Sequence, residues 1–263
     1  PIEALRDEIG PFHDLRRRAV APLARAQLIG DPWALHVEGD GQLNLVRVLA
    51  AAGVEVEQPP FAFWIDYLSW QRRVAPFGAG SVPSEATIGL ARDLESRLRE
   101  RLACASEAAG IGGFELPSQD ALADLAAPHL SPGIRGGYGH LEVALALRAR
   151  RERRAHVVLS VKSFGCVPSS GVSDAVVPRV LGPDVGFLSV EVASDGAAAR
   201  ESRLTLRVAS ALDAAEHELA DACTIANRDP AWLVAPDPFA GRWEVGPRRY
   251  ASTLACETAG AAT

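Results

Sequence analysis

A strand–loop–helix pattern recurs three times in this chain, over residues 33–53, 155–181 and 186–222, and this recurrence narrows the fold more than any other feature. Each unit joins a short apolar run to an amphipathic stretch through a loop rich in Gly, Ser and Asp. Parallel strands need crossovers long enough to hold a helix, so repeated units of this kind build a mainly parallel sheet covered by helices. In an open parallel sheet the loops leaving the C-terminal ends of the strands line one edge, where ligands bind. The pattern therefore predicts an α/β domain with one candidate site assembled from residues 38–42, 162–171 and 193–198.

The remaining elements follow from periodicity and punctuation. Leu5, Ile9, Phe12, Leu15, Val20, Leu23 and Leu28 recur at roughly helical spacing, so residues 1–30 read as a helical linker, broken by Pro11 and Pro22 into shorter helices. Trp33 to Val37 reads as the first apolar strand, followed by a helix through Leu43, Val46 and Leu49 that Gly53 closes. Val54 to Glu57 alternates as a strand should, and Pro59-Pro60 stops it. Helices are expected over 61–74, where aromatic residues crowd, and over 84–109, 118–127, 140–151, 173–181 and 198–222. Ala155 to Val161 and Gly186 to Val192 read as strands. The domain proper is expected to span 31–222, and the proline-bearing residues 223–263 to form a loosely wound, disordered extension.

Composition excludes several classes. Hydrophobic residues make up 48% and charged residues 23%, enough apolar content for a real core. No run approaches the roughly 20 apolar residues of a membrane span, and the charged N-terminus has no signal-peptide core. A net charge of −6 argues against general nucleic-acid binding, and the clusters Arg16 to Arg18 and Arg148 to Arg154 read as solvated helix faces. The four cysteines (Cys104, Cys166, Cys223 and Cys256) have neither zinc spacing nor the density of a secreted scaffold, so a cytoplasmic location is expected. The chain has no methionine, even at position 1, which predicts the C-terminal part of a longer protein.

The central loop carries most of the chemistry. Lys162, the only lysine, stands at a strand end beside Ser163, Gly165 and Cys166, and Ser169, Ser170 and Gly171 precede a helix start. A helix N-terminus lowers a thiol's pKa and favours negative charge. Cys166 could then be a ligand to iron, a nucleophile or a small packing residue. A nucleophile would need a base, for which His36 and His140 are the candidates by position. Ser169, Ser170, Gly171 and Ser173 could cradle a phosphate or simply cap the helix. Glu38, Asp40, Gln42 and Asp195 complete the loops at the edge, Asp195-Gly196 reading as a tight turn.

The stretch Ser160-Val161-Lys162-Ser163-Phe164-Gly165-Cys166-Val167-Pro168-Ser169-Ser170-Gly171-Val172-Ser173-Asp174 resembles the signature of the activase-related proteins of the 2-hydroxyglutaryl-CoA dehydratase and benzoyl-CoA reductase superfamily. That signature usually has Pro at Ser163 and Met at Val167. Gly136 to Ala144, Glu38 to Gln42, Val54 to Leu68, Ser202 to Leu204 and Tyr250 to Thr253 are similar to other parts of the same family. The resemblance covers roughly residues 30–222 and, more faintly, the tail. It implies a Rossmann/flavodoxin-like domain beside an iron–sulfur cluster, with Cys166 as a cluster thiolate. An ATP-hydrolysing activator would supply low-potential electrons to an acyl-CoA-linked system.

The turn after the last strand, Val192-Ala193-Ser194-Asp195-Gly196, departs from the family's threonine- and glycine-containing pattern. A [4Fe–4S] cluster usually takes four thiolates, and only Cys166 sits in a family motif. The missing ligands would come from an upstream domain, a partner subunit or a second copy of the chain. Catalysis would belong to the assembled complex, so no general acid or base is assigned. Two rival readings are a metal-free binding or scaffold module of the same fold and a stand-alone enzyme with Cys166 as nucleophile.

Overall fold

The computed structural model describes residues 24–37, 41–74, 82–108, 116–131, 134, 137–166, 170–192 and 197–225. The chain divides into two compact units. Among the described residues, the first lies within 60–121 and the second comprises 24–59 and 122–225, the division falling inside one helix.

The second unit is a four-stranded, wholly parallel sheet in a Rossmann/flavodoxin-like α/β arrangement. Its strands are β1 (Ala24–Gly30), β2 (Val54–Glu57), β3 (Val157–Ser163) and β4 (Gly186–Val192), in the order β2-β1-β3-β4. Ala24 pairs with Val54, Ala26 with Val157, and Val157 with Gly186, which sets the register across the sheet. Between β1 and β2 run α1 (Pro32–His36) and α2 (Leu45–Ala51). α3 (Phe61–Val74) and α4 (Glu85–Ala108) belong to the first unit, and α5 (Gln119–Ala126) crosses the division. α6 (Gly139–Arg151) precedes β3, a π-helical turn (Val172–Val176) leads into α7 (Val177–Leu181), and α8 (Ala197–Ile225) follows β4.

Successive strand residues point to opposite faces. Ala24, Ala26, Leu28, Val157, Leu159, Val161, Leu188 and Val190 enter one apolar cluster with Leu35 of α1, Leu45 and Leu49 of α2, and Leu204, Ala211 and Ala215 of α8. The opposite face is covered by α6, the π turn and α7. Gly30 is required where β1 meets β3: its φ is +117°, and a Cβ there would overlap the Val161 carbonyl oxygen.

Two expectations are corrected. Residues 24–30 are a central strand, and helical structure does not extend through them. β1 is buried on both faces yet mixes Arg25 and Gln27 with small and apolar residues, so it shows no strand alternation, and chance spacing of Leu23 and Leu28 imitated a helix. Trp33 to Val37, expected as a strand, lies instead in and just after α1. The Asp31 side chain caps that helix by accepting the Trp33 N–H at 2.9 Å, and Pro32 occupies its first turn, where a missing N–H costs nothing. The other expected helices and strands are found near their expected places, although Lys162 and Ser163 end β3 and do not lie in the loop. The expected helices of residues 1–23 and the expected disorder of the tail lie outside the described residues.

In the first unit, α3 carries stacked aromatic rings, Trp64 on Tyr67 at 5.3 Å and Tyr67 on Trp70 at 5.8 Å. Arg99 reaches the fully buried Asp66 at 3.2 Å, and Arg73 pairs with Glu95 and Asp120. Burial is the largest influence on Asp66 and raises its pKa despite opposing help from Gln119, Arg99 and Arg73.

Candidate functional site

Strand order reverses between β1 and β3, so the C-terminal ends of these two strands bound the crevice where an α/β sheet takes its ligands. Asp31 and Ser163 meet there. The Ser163 hydroxyl donates to Asp31 Oδ2 at 2.6 Å, while Asp31 Oδ1 accepts the Trp33 N–H. The Asp31 N–H donates to the Val161 carbonyl at 2.7 Å, fixing the carboxylate to the neighbouring strand. Asp31 is 8% exposed, whereas Ser163 faces solvent. Two aromatic residues close by in sequence are exposed, Trp33 at 64% and Phe164 at 72%.

Cys166 lies just beyond, half-buried, on the turn leaving β3. Its N–H donates to the Ser163 carbonyl at 3.2 Å, its carbonyl accepts the Ser170 N–H at 2.8 Å, and the Tyr138 hydroxyl is 3.9 Å from its sulfur. Gly165, at φ +69°, makes the turn, and its N–H lies 3.4 Å from Glu191 Oε1. Lys162 is only 4% exposed, its ammonium donating to Asp174 Oδ2 at 2.6 Å and to the Ser170 hydroxyl at 3.3 Å. This lysine is thus committed to the segment that follows the cysteine. One step earlier on β3, Ser160 and Ser173 each bond Glu142 Oε2, at 3.0 and 2.6 Å, and lie 2.9 Å from each other. Ser160 and Lys162 therefore grip consecutive residues of the π turn.

The expected site residues are gathered in part. Lys162, Ser163, Gly165, Cys166, Ser170 and Gly171 share the stretch running from the end of β3 to the start of the π turn. Glu38, Asp40, Ser169 and Asp195 lie outside the described residues. Gln42 sits in the turn before α2, where its carbonyl accepts the Leu45 N–H at 3.0 Å. Its buried Oε1 has no hydrogen-bond partner among the described residues. His36 is held by the Pro32 and Pro59 carbonyls at 2.6 and 2.9 Å, and His140 by the Ser131 carbonyl at 2.9 Å, so both work within the backbone frame.

Asp31, Glu142 and Tyr138 escaped the reading of residue pattern. The Asp31-Pro32 pair is a helix-start signal, and placing α1 one residue after a strand would have brought Asp31 to the sheet edge. No pattern marks a buried carboxylate such as Glu142, which sits amid the apolar residues of α6.

The donor set at this edge does not complete a four-thiolate cluster. Cys166 is one thiol, the side chains of Cys223 and Cys256 lie outside the described residues, and Cys104 belongs to α4 of the other unit. Among the described residues, no group of three or more His, Cys, Asp or Glu side chains is arranged to hold a metal ion. Nor is any helix among them long and apolar enough to cross a membrane. Comparison of the chain with protein-family models, with curated proteins and with solved structures found no match in any of the three.

Proposed function

We propose that this chain is a cluster-supporting component of a 2-hydroxyacyl-CoA dehydratase-type electron-transfer system. Cys166 would contribute one thiolate, and an upstream domain, a partner subunit or a second copy would supply the others. The observation that carries this reading is the position of Cys166, half-buried at the C-terminal edge of the central strand β3. Backbone bonds to Ser163 and Ser170 hold it from both sides. Its sequence neighbours Ser163 and Gly165 are small. The resemblance of residues 160–174 to the activase-related signature points the same way. An iron–sulfur cluster supplies one-electron chemistry whose potential depends on hydrogen bonding to its sulfurs and on solvent exposure. The chain's own part is to present the thiolate from a fixed turn, with Lys162 and Asp174 closing the base of that turn.

The test is anaerobic reconstitution of the full chain with ferrous iron, sulfide and glutathione, whose thiol stands in for the missing ligands. Wild type should retain iron and sulfide through desalting and show visible thiolate-to-iron absorption, and Cys166→Ser should retain neither. Equal iron in both proteins, or iron in neither, would overturn the proposal.

A further inference from the structure

We propose that Ser163 and Asp31 form a nucleophile–base dyad that accepts an acyl group from an activated donor such as a thioester, an activity independent of any role of Cys166. A serine nucleophile is recognised by a base within hydrogen-bond reach that a third group holds in turn. Here the hydroxyl is 2.6 Å from Asp31 Oδ2, and the Trp33 N–H fixes the other carboxylate oxygen at 2.9 Å. The base is nearly buried while the nucleophile is exposed, so the hydroxyl can be reached from solvent and the carboxylate cannot swing away. The pair also bridges the two strands that bound the crevice at the reversal of strand order. Trp33, two residues after Asp31, and Phe164, next to Ser163, are exposed aromatic residues of a kind that suits an apolar acyl group.

The chemistry balances without an outside oxidant or reductant. Ser163 Oγ bonds to the acyl carbon as its proton passes to Asp31 Oδ2, and the carbonyl electron pair moves onto oxygen. Collapse breaks the bond to the leaving thiolate, which takes the proton from Asp31. Water then attacks the acyl-serine, gives its proton to Asp31, and the released Ser163 oxygen recovers it. The sum is acyl donor plus water to carboxylic acid plus thiol.

The full chain treated with a fluorophosphonate probe, with adducts located by peptide mass spectrometry, tests the dyad. Wild type should carry the adduct on Ser163, and Ser163→Ala should not. Asp31→Asn keeps an oxygen for the Trp33 N–H but turns its amide nitrogen, a donor, towards Ser163 and cannot take the proton, so labelling should fall at least tenfold while thermal unfolding stays close to wild type. A purely structural tie gives the other result: no labelling of Ser163 above that of an exposed serine such as Ser84, or the same rate in Asp31→Asn. Either outcome would overturn the dyad. If Asp31→Asn also unfolds early, the rate of p-nitrophenyl acetate hydrolysis by folded Ser163→Ala decides, since an unchanged rate excludes the serine.

Discussion

The two faces of the sheet are built by different rules. On one, Val157, Leu159 and Val161 of β3 meet the side chains of α1, α2 and α8 in an apolar cluster. On the other, Ser160 and Lys162 of the same strand bond Glu142, Ser173, Ser170 and Asp174, and Gln27 and Ser189 leave a buried oxygen without a partner among the described residues. The first face needs only volume and apolarity, which many residue combinations supply. The second needs particular donors and acceptors at particular positions, since each unmet buried polar group costs free energy. The candidate site draws on both faces: Lys162 belongs to the second, whereas Ser163, in step with Val157, Leu159 and Val161, ends the first.

The largest expected effect that sharpens this contrast comes from the apolar side. Leu159 is fully buried, and Leu159→Ala should cost about 3–4 kcal/mol in chemical denaturation, the lost transfer energy plus the cavity. Leu159→Met should recover most of it, because on that face shape is negotiable.

Next comes the cluster at the opposite end of the sheet, where Glu218 of α8 bonds Arg25 at 2.6 Å and His156 at 2.9 Å. Burial pushes the Glu218 carboxyl upward, but the His156 hydrogen bond and the charge and hydrogen bond of Arg25 outweigh it and bring its pKa down to about 2 from 4.5. A carboxylate depressed in the folded state contributes stability above its unfolded pKa, and this is lost as pH falls from about 4.5 towards 2. Glu218→Gln should therefore lose on the order of 2–3 kcal/mol at neutral pH. Its stability should also fall less steeply than wild type's below pH 4.5, as urea titrations at several pH values would show.

The smallest effect probes the polar face. Glu142→Gln leaves one oxygen for the two hydroxyls but replaces the carboxyl group with an amide, and should cost about 1 kcal/mol. In combination with Ser173→Ala the two losses should not add, because both disturb the same Glu142–Ser173 hydrogen bond. Full additivity would break the contrast, for it would mean that Glu142 and Ser173 act as separate packing residues.

How far the fold could be read in advance followed the same division. β2, β3 and β4 announce themselves by alternation or by β-branched runs between glycines and prolines, and α4 and α8 by length and periodicity. β1 did not, because Ala24 to Gly30 is buried on both sides and mixes Arg25 and Gln27 with small and apolar residues. Losing β1 moved the first edge loop from Asp31 to residues 38–42, so the residue that bonds Ser163 was not among the candidates. Lys162, Ser163, Gly165 and Cys166 were legible because a strong strand ends in an unusual sequence. The polar grip of Glu142 on Ser160 and Ser173 was not, since it joins residues of three elements that only the tertiary fold brings together.

The parallel pairing of β1 also bears on how the chain acquires its structure during synthesis. β1 finds β2 soon after both emerge, yet its other neighbour is far downstream, Ala26 pairing with Val157. At about 5–20 residues per second, the first strand waits on the order of ten seconds for that partner. A lone two-stranded pair is marginal in water. In that interval the edge of β1 that will receive β3 is open to any other extended chain, so this protein is at its most vulnerable to wrong pairing while the ribosome is still making the helices of residues 60–121.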